Sequence, residues 1–205
     1  MLLREVGLLD VLLPELAEVL RELDPEHPHG TGHLFWALLD VLDAERRRGR
    51  IFEDAVLFAL FFLPVVRAGV RKIAPDGHPS PDALAVLVED TVTPVAVRMA
   101  LPHALTHRIK LALGLVGRLS HRPDGRVATR RLAFREAFPA ALDLFELRAM
   151  ATGRGEEVAR EWRTLAKAAQ HARERMAPES PETAPPPPRR RPHRRGGRGR
   201  RRPVA

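Results

Sequence analysis

Residues Ala55 to Val66 are twelve consecutive apolar residues, and this run constrains the fold most. It falls inside a stretch, about 52–73, that reads as one helix. A helix apolar nearly all round must be enclosed by other elements. At twelve residues, with Pro64 inside, it is shorter than the roughly 18 needed to span a bilayer. No segment of the chain keeps up an apolar/polar alternation, and Tyr is absent. Leu and Ala, both strong helix formers, dominate. The expectation is therefore all-α, with helices wrapped around residues 52–73.

The first segment, about 2–23, places Leu9, Leu12, Leu13, Leu16, Val19 and Leu20 at helical spacing, with Gly7 and Pro14 breaking it. A helix over about 31–48 ends in Arg46, Arg47 and Arg48, which suit the dipole, and Gly49 caps it. Ser80-Pro81-Asp82 opens a helix to about Thr93, with Ser as N-cap and Pro at the first turn. Pro94 to Pro102 reads as a connector. Helices follow over about 103–119, 132–150 and 156–176, with Pro139 kinking or opening the second of these. The body thus reads as about seven helices. Residues 177–188 are proline-rich, ending in four consecutive prolines, and read as a polyproline II linker. Residues 189–205 have almost nothing apolar to bury and read as a disordered arginine-rich tail.

Charge is distributed unevenly along the chain. The net charge is +8, yet the tail alone carries nine arginines and no acid. Residues 1–97 are net −7, residues 98–135 are net +8, and residues 136–188 are net −2. Two cationic regions in an otherwise near-neutral chain point to a polyanion held on one oriented face. In the tail, Arg189, Arg190, Arg191, Arg194, Arg195, Arg198, Arg200, Arg201 and Arg202 are interleaved with glycine, as in segments that bind single-stranded nucleic acid. Guanidinium pairs with phosphate at two points and stacks on bases. In the body, His103, His107 and Lys110 share a helix face, and Arg118, Arg130 and Arg131 extend the basic stretch. The alternative for each is an ordinary solvated face.

Other chemistry finds few residues. With no Cys, there is no disulfide, thiolate zinc site or cysteine nucleophile. His27, His29, His33, Asp40 and Asp43 suggest a helical metal-dependent phosphohydrolase of the HD type. That site needs a His-Asp pair on the next helix, where Phe58 to Pro64 stand instead. The histidines read as turn and cap residues, and no metal ligand is assigned. No Asp-x-Asp and no phosphate-cradling glycine loop occurs. Arg4, Glu5 and Asp10 interrupt the N-terminus too early for a signal peptide, and a soluble cytoplasmic protein without membrane contact is expected.

Several ordered stretches resemble bacterial poly(A) polymerases (polynucleotide adenylyltransferases). Leu2 to Leu9 and Leu13 to Leu16 are similar to the segment after that family's nucleotidyltransferase head. Arg135-Glu136-Ala137-Phe138-Pro139-Ala140-Ala141-Leu142-Asp143-Leu144-Phe145-Glu146-Leu147-Arg148 resembles its HPRFRAAYDFLLLR stretch, with Arg135-Glu136 in place of His-Pro. Ala159-Arg160-Glu161-Trp162 resembles the AEWW that follows, and the Pro/Arg-rich end resembles its basic terminus.

The resemblance implies that residues 1–97 are the helical neck and body after the head, and that 98–176 are a basic RNA-binding region. Residues 177–188 would then be the linker and 189–205 the tail. The head, with its glycine loop and paired aspartates, is expected outside this chain. The function implied is RNA binding in 3′-end polyadenylation without catalytic residues of its own. ATP and Mg2+ would be needed only by the head, and no cofactor is expected here. Single-stranded RNA 3′ ends are the expected partner, with a nucleotidyltransferase head or RNA-decay proteins as others. A stand-alone nucleic-acid-binding adaptor and a degenerate HD-type phosphohydrolase are the alternatives.

Overall fold

The computed structural model describes residues 7–21, 31–76, 78–123 and 127–176. Among these residues there is no strand, and the chain is all-α. Nine helices follow in order: α1 (Leu8–Leu12), α2 (Pro14–Arg21), α3 (Thr31–Arg47), α4 (Asp54–Ile73), α5 (Pro81–Arg98), α6 (His103–Val116), α7 (Val127–Ala133), α8 (Phe138–Thr152) and α9 (Glu156–Met176). A 3-10 turn, Gly117–Ser120, extends α6. The linker and tail, 177–205, lie outside the described residues, as do Leu2 to Val6, His27 and His29.

The apolar run sits where its composition requires. Helix α4 packs against α2, α3, α5, α6 and α8, and Val56, Ala59, Leu60 and Leu63 are at most 1% exposed. One apolar cluster extends from Leu9 on α1 to Ala169 on α9, crossing from the acidic to the basic part of the sequence. Helix α9 closes one side by packing on α8, α7 and the 3-10 turn. Its Trp162 is buried, lies 5.8 Å from Phe138, and donates from Nε1 to the carbonyls of Leu119 (3.1 Å) and His121 (2.9 Å).

Prolines account for the differences from the expected seven helices. Gly7, at φ 68°, precedes α1, and Pro14 opens α2, so the first segment is two short helices. Pro139 stands in the first turn of α8, where its missing N–H is harmless, and α7 forms separately before it. Pro94 does not end α5. The helix continues to Arg98, which corrects the expected 94–102 connector. Pro94 is exposed, so water can serve the carbonyl that its ring leaves without a donor. Ser80 caps α5 as expected, its Oγ accepting from the Ala83 N–H at 3.2 Å.

Candidate nucleic-acid interface

The basic stretch 98–135 divides in space. Four of its cations are paired with acids brought from other helices. Arg98 Nη2 donates to both Glu15 oxygens (2.7 and 2.9 Å), and Arg108 donates to Glu53 (2.6 Å). Arg122 meets Glu157 (2.9 Å) and Glu161 (3.4 Å). Lys110 is only 21% exposed, and its Nζ donates to Glu89 (2.7 Å) and Thr93 (2.8 Å). That hydrogen bond is the main reason the Glu89 carboxyl lies below its usual range. Lys110 thus bridges α5 and α6. His103 and His107 are exposed on α6, and Arg131 is exposed on α7. Arg118, Arg131 and Arg135 have no carboxylate partner among the described residues. The side chain of Arg130 and the arginines of 189–202 lie outside the described residues.

A convergence of positive charge among the described residues includes side chains that sequence reasoning did not select. A cavity of about 620 Å3 lies between the second half of α4, the entry to α5, the end of α6 and the middle of α8. Arg67 and Arg71 of α4, Arg118 of the 3-10 turn and Arg148 of α8 border it, together with His78 and His121. Its floor is apolar, built from Leu63, Val66, Val70, Leu113 and Val116, and no carboxylate lines it among the described residues. The two imidazole rings stand 6.3 Å apart between centroids, inclined by 25°.

Burial and like charge act in the same direction on the arginines of this cavity. Arg67 is half-buried. Burial first, then the charges of Arg148 and Arg71, push its guanidinium down to about 10. Arg148 is also lowered by burial. It donates to Ser120 Oγ at 3.3 Å and lies 5.5 Å from the Phe145 ring centroid. No described carboxylate pairs with either arginine.

Elsewhere the same protein compensates its buried cations. Arg50 and Arg163 share Asp143 and Glu146, joining the α3–α4 loop, α8 and α9. For both arginines burial acts downward. The hydrogen bonds and charges of the two carboxylates outweigh it and hold them above their usual value.

Of the HD-type reading, His27 and His29 lie outside the described residues. Asp40 and Asp43 are exposed on α3, and the side chain of His33 lies outside the described residues. Among the described residues no cluster of His, Asp and Glu is arranged to hold a metal ion. No described helix is long and apolar enough to cross a membrane.

The signal for Arg67 and Arg71 was present in the sequence as an i,i+4 cationic pair closing the apolar helix. That for Arg148, His78 and His121 was not, because only tertiary packing gathers them.

No curated protein matches the chain. A family model described as the polymerase A arginine-rich C-terminus matches residues 76–196, more than half of the sequence. The match spans α5 to α9 and includes His78, Arg118, His121 and Arg148, while Arg67 and Arg71 precede it. The chain therefore belongs to the family of the arginine-rich C-terminal part of poly(A) polymerases.

Proposed function

We propose that this chain is the RNA-holding part of a polyadenylating enzyme. A single-stranded 3′ end would be gripped by the cationic cavity and by the arginine tail. The observation that carries this reading is the gathering of Arg67, Arg118 and Arg148 around one cavity with no carboxylate among its described lining residues. In this reading the exposed His103, His107 and Arg131 provide outer contacts, and Lys110 positions α6 against α5 rather than meeting phosphate. Adenylyl transfer, with ATP and Mg2+, is assigned to a nucleotidyltransferase unit outside this chain. The tail, on its proline-rich tether, raises the local concentration of RNA near the cavity.

The test is RNA binding as a function of salt. Deleting 189–205 should lower affinity for single-stranded RNA at least tenfold in dilute buffer. The log–log salt slope should shrink by roughly 4 to 6, at about 0.7 for each phosphate no longer neutralised. Charge reversal at Arg118 in the deleted chain should remove most of the remaining binding. A chain that ignores RNA at low salt would end the proposal.

A further inference from the structure

Two of the arginines around the cavity combine partial burial with the lack of a described carboxylate. With 26 Asp and Glu in the chain, cations close by on α5 and α6 are paired. Arg98, Arg108 and Lys110 each reach a carboxylate within 3 Å. Arg67 and Arg148 are half-buried, face one cavity with Arg118, and reach none among the described residues. Burying a charge without a partner is costly, so such a site is complete only with an anion in it. Guanidinium groups recognise phosphate through two-point hydrogen bonds.

The remaining walls indicate what the anion is attached to. A bare phosphate would occupy a small part of 620 Å3 and leave the floor of Leu63, Val66, Val70 and Leu113 wet. That volume lies within the roughly 300–1,000 Å3 of clefts that enclose small organic ligands. Apolar floors and histidine rings accept the faces of nucleobases. A double helix keeps its bases stacked inside and cannot present one to such a cavity. We propose that the cavity receives one unpaired phosphorylated nucleoside, its phosphate on Arg67, Arg118 and Arg148 and its base against the apolar floor. The inference rests on the RNA-holding reading and names the unit of the strand that is bound. The same chemistry belongs to a free mononucleotide.

Calorimetric titration of the full chain with uridine 5′-monophosphate, ribose 5-phosphate and uridine tests this. The monophosphate should bind at least tenfold more tightly than either half-molecule. Arg67→Met should weaken it at least tenfold by removing charge. Gly117→Leu should do the same by filling space, with no change of charge. Gly117 borders the cavity, has ordinary helical angles (φ −63°, ψ −35°), and a Cβ there would meet nothing within 4 Å. Thermal melting would verify that both variants fold, and Arg47→Ser, exposed at the end of α3, should bind as the parent does.

Equal affinity for ribose 5-phosphate would reduce the cavity to an anion site and overturn the proposal. Binding untouched by both variants would overturn it as well. Binding of single-stranded RNA without any uptake of the monophosphate would sink this inference and leave the RNA-holding reading intact, whereas loss of both would sink the two together. If the monophosphate displaces RNA, the occupant is a unit of the strand; if the two bind side by side, it is a free nucleotide.

Discussion

Ala100 adopts the left-handed conformation, at φ 51°, just beyond the end of α5. The Leu101 N–H reaches the Ala96 carbonyl (2.9 Å) and the Ala100 N–H reaches Val97 (3.1 Å), which is the Schellman pattern. Glycine is the usual residue there because a Cβ is strained in that region. Ala100→Gly should therefore raise stability by about 0.5–1 kcal/mol, readable as an increase in melting temperature. The absence of that glycine is also why the end of α5 could not be read from sequence. The pattern was visible at Gly49, at φ 87°, where α3 stops as its sequence indicates. Arg67 makes the opposite compromise. Its guanidinium is held at about 10, below its ordinary value, so the folded state disfavours its charge. For a base lowered by folding, the penalty is complete at pH values below 10 and fades as pH rises from there towards the unfolded value. Arg67→Met should therefore stabilise the empty protein at pH 7–8 by roughly 1–2 kcal/mol. The advantage over the parent should narrow as pH passes 10 in parallel denaturation curves.

At the level of helices, type was legible throughout and termination only in part. The lengths of α3, α4 and α9 follow from their apolar spacing and from glycine or proline just beyond them. Pro94 and Pro139 have the same chemistry but opposite outcomes. One is carried on the exposed side of α5 and the other starts α8, and only packing distinguishes them. The charge pattern was half legible. The basic stretch was expected to present one oriented face, and four of its cations are instead paired with carboxylates of neighbouring elements. Lys110 illustrates this: its place on a helix face was readable, and its Glu89 partner was not. Helix α9 is tied to the cavity through Trp162, whose N–H is shared between carbonyls flanking the 3-10 turn. Trp162→Phe keeps most of the packing and orphans both carbonyls. It should cost about 1–3 kcal/mol. It should also weaken phosphate-dependent ligand binding by loosening His121, which a melting curve and a titration would separate.

On the scale of the whole molecule, positive charge is arranged in two tiers. One is a walled cavity whose arginines come from two helices and a turn. The other is the run of arginines within 189–202, which follows a proline-rich stretch of the sequence. The first tier was hidden because no sequence neighbourhood contains it. Arg67 and Arg148 are 81 positions apart, and each looks like an ordinary charged residue on an amphipathic helix.

The family match starts at residue 76, three positions after α4 ends. Whoever trims the protein to that border keeps the histidine side of the cup and throws away its opposite bank, together with the mast on which the other helices are rigged. Such a fragment would be a collapsed tent rather than a smaller domain, and its silence toward any ligand would say nothing about the intact chain.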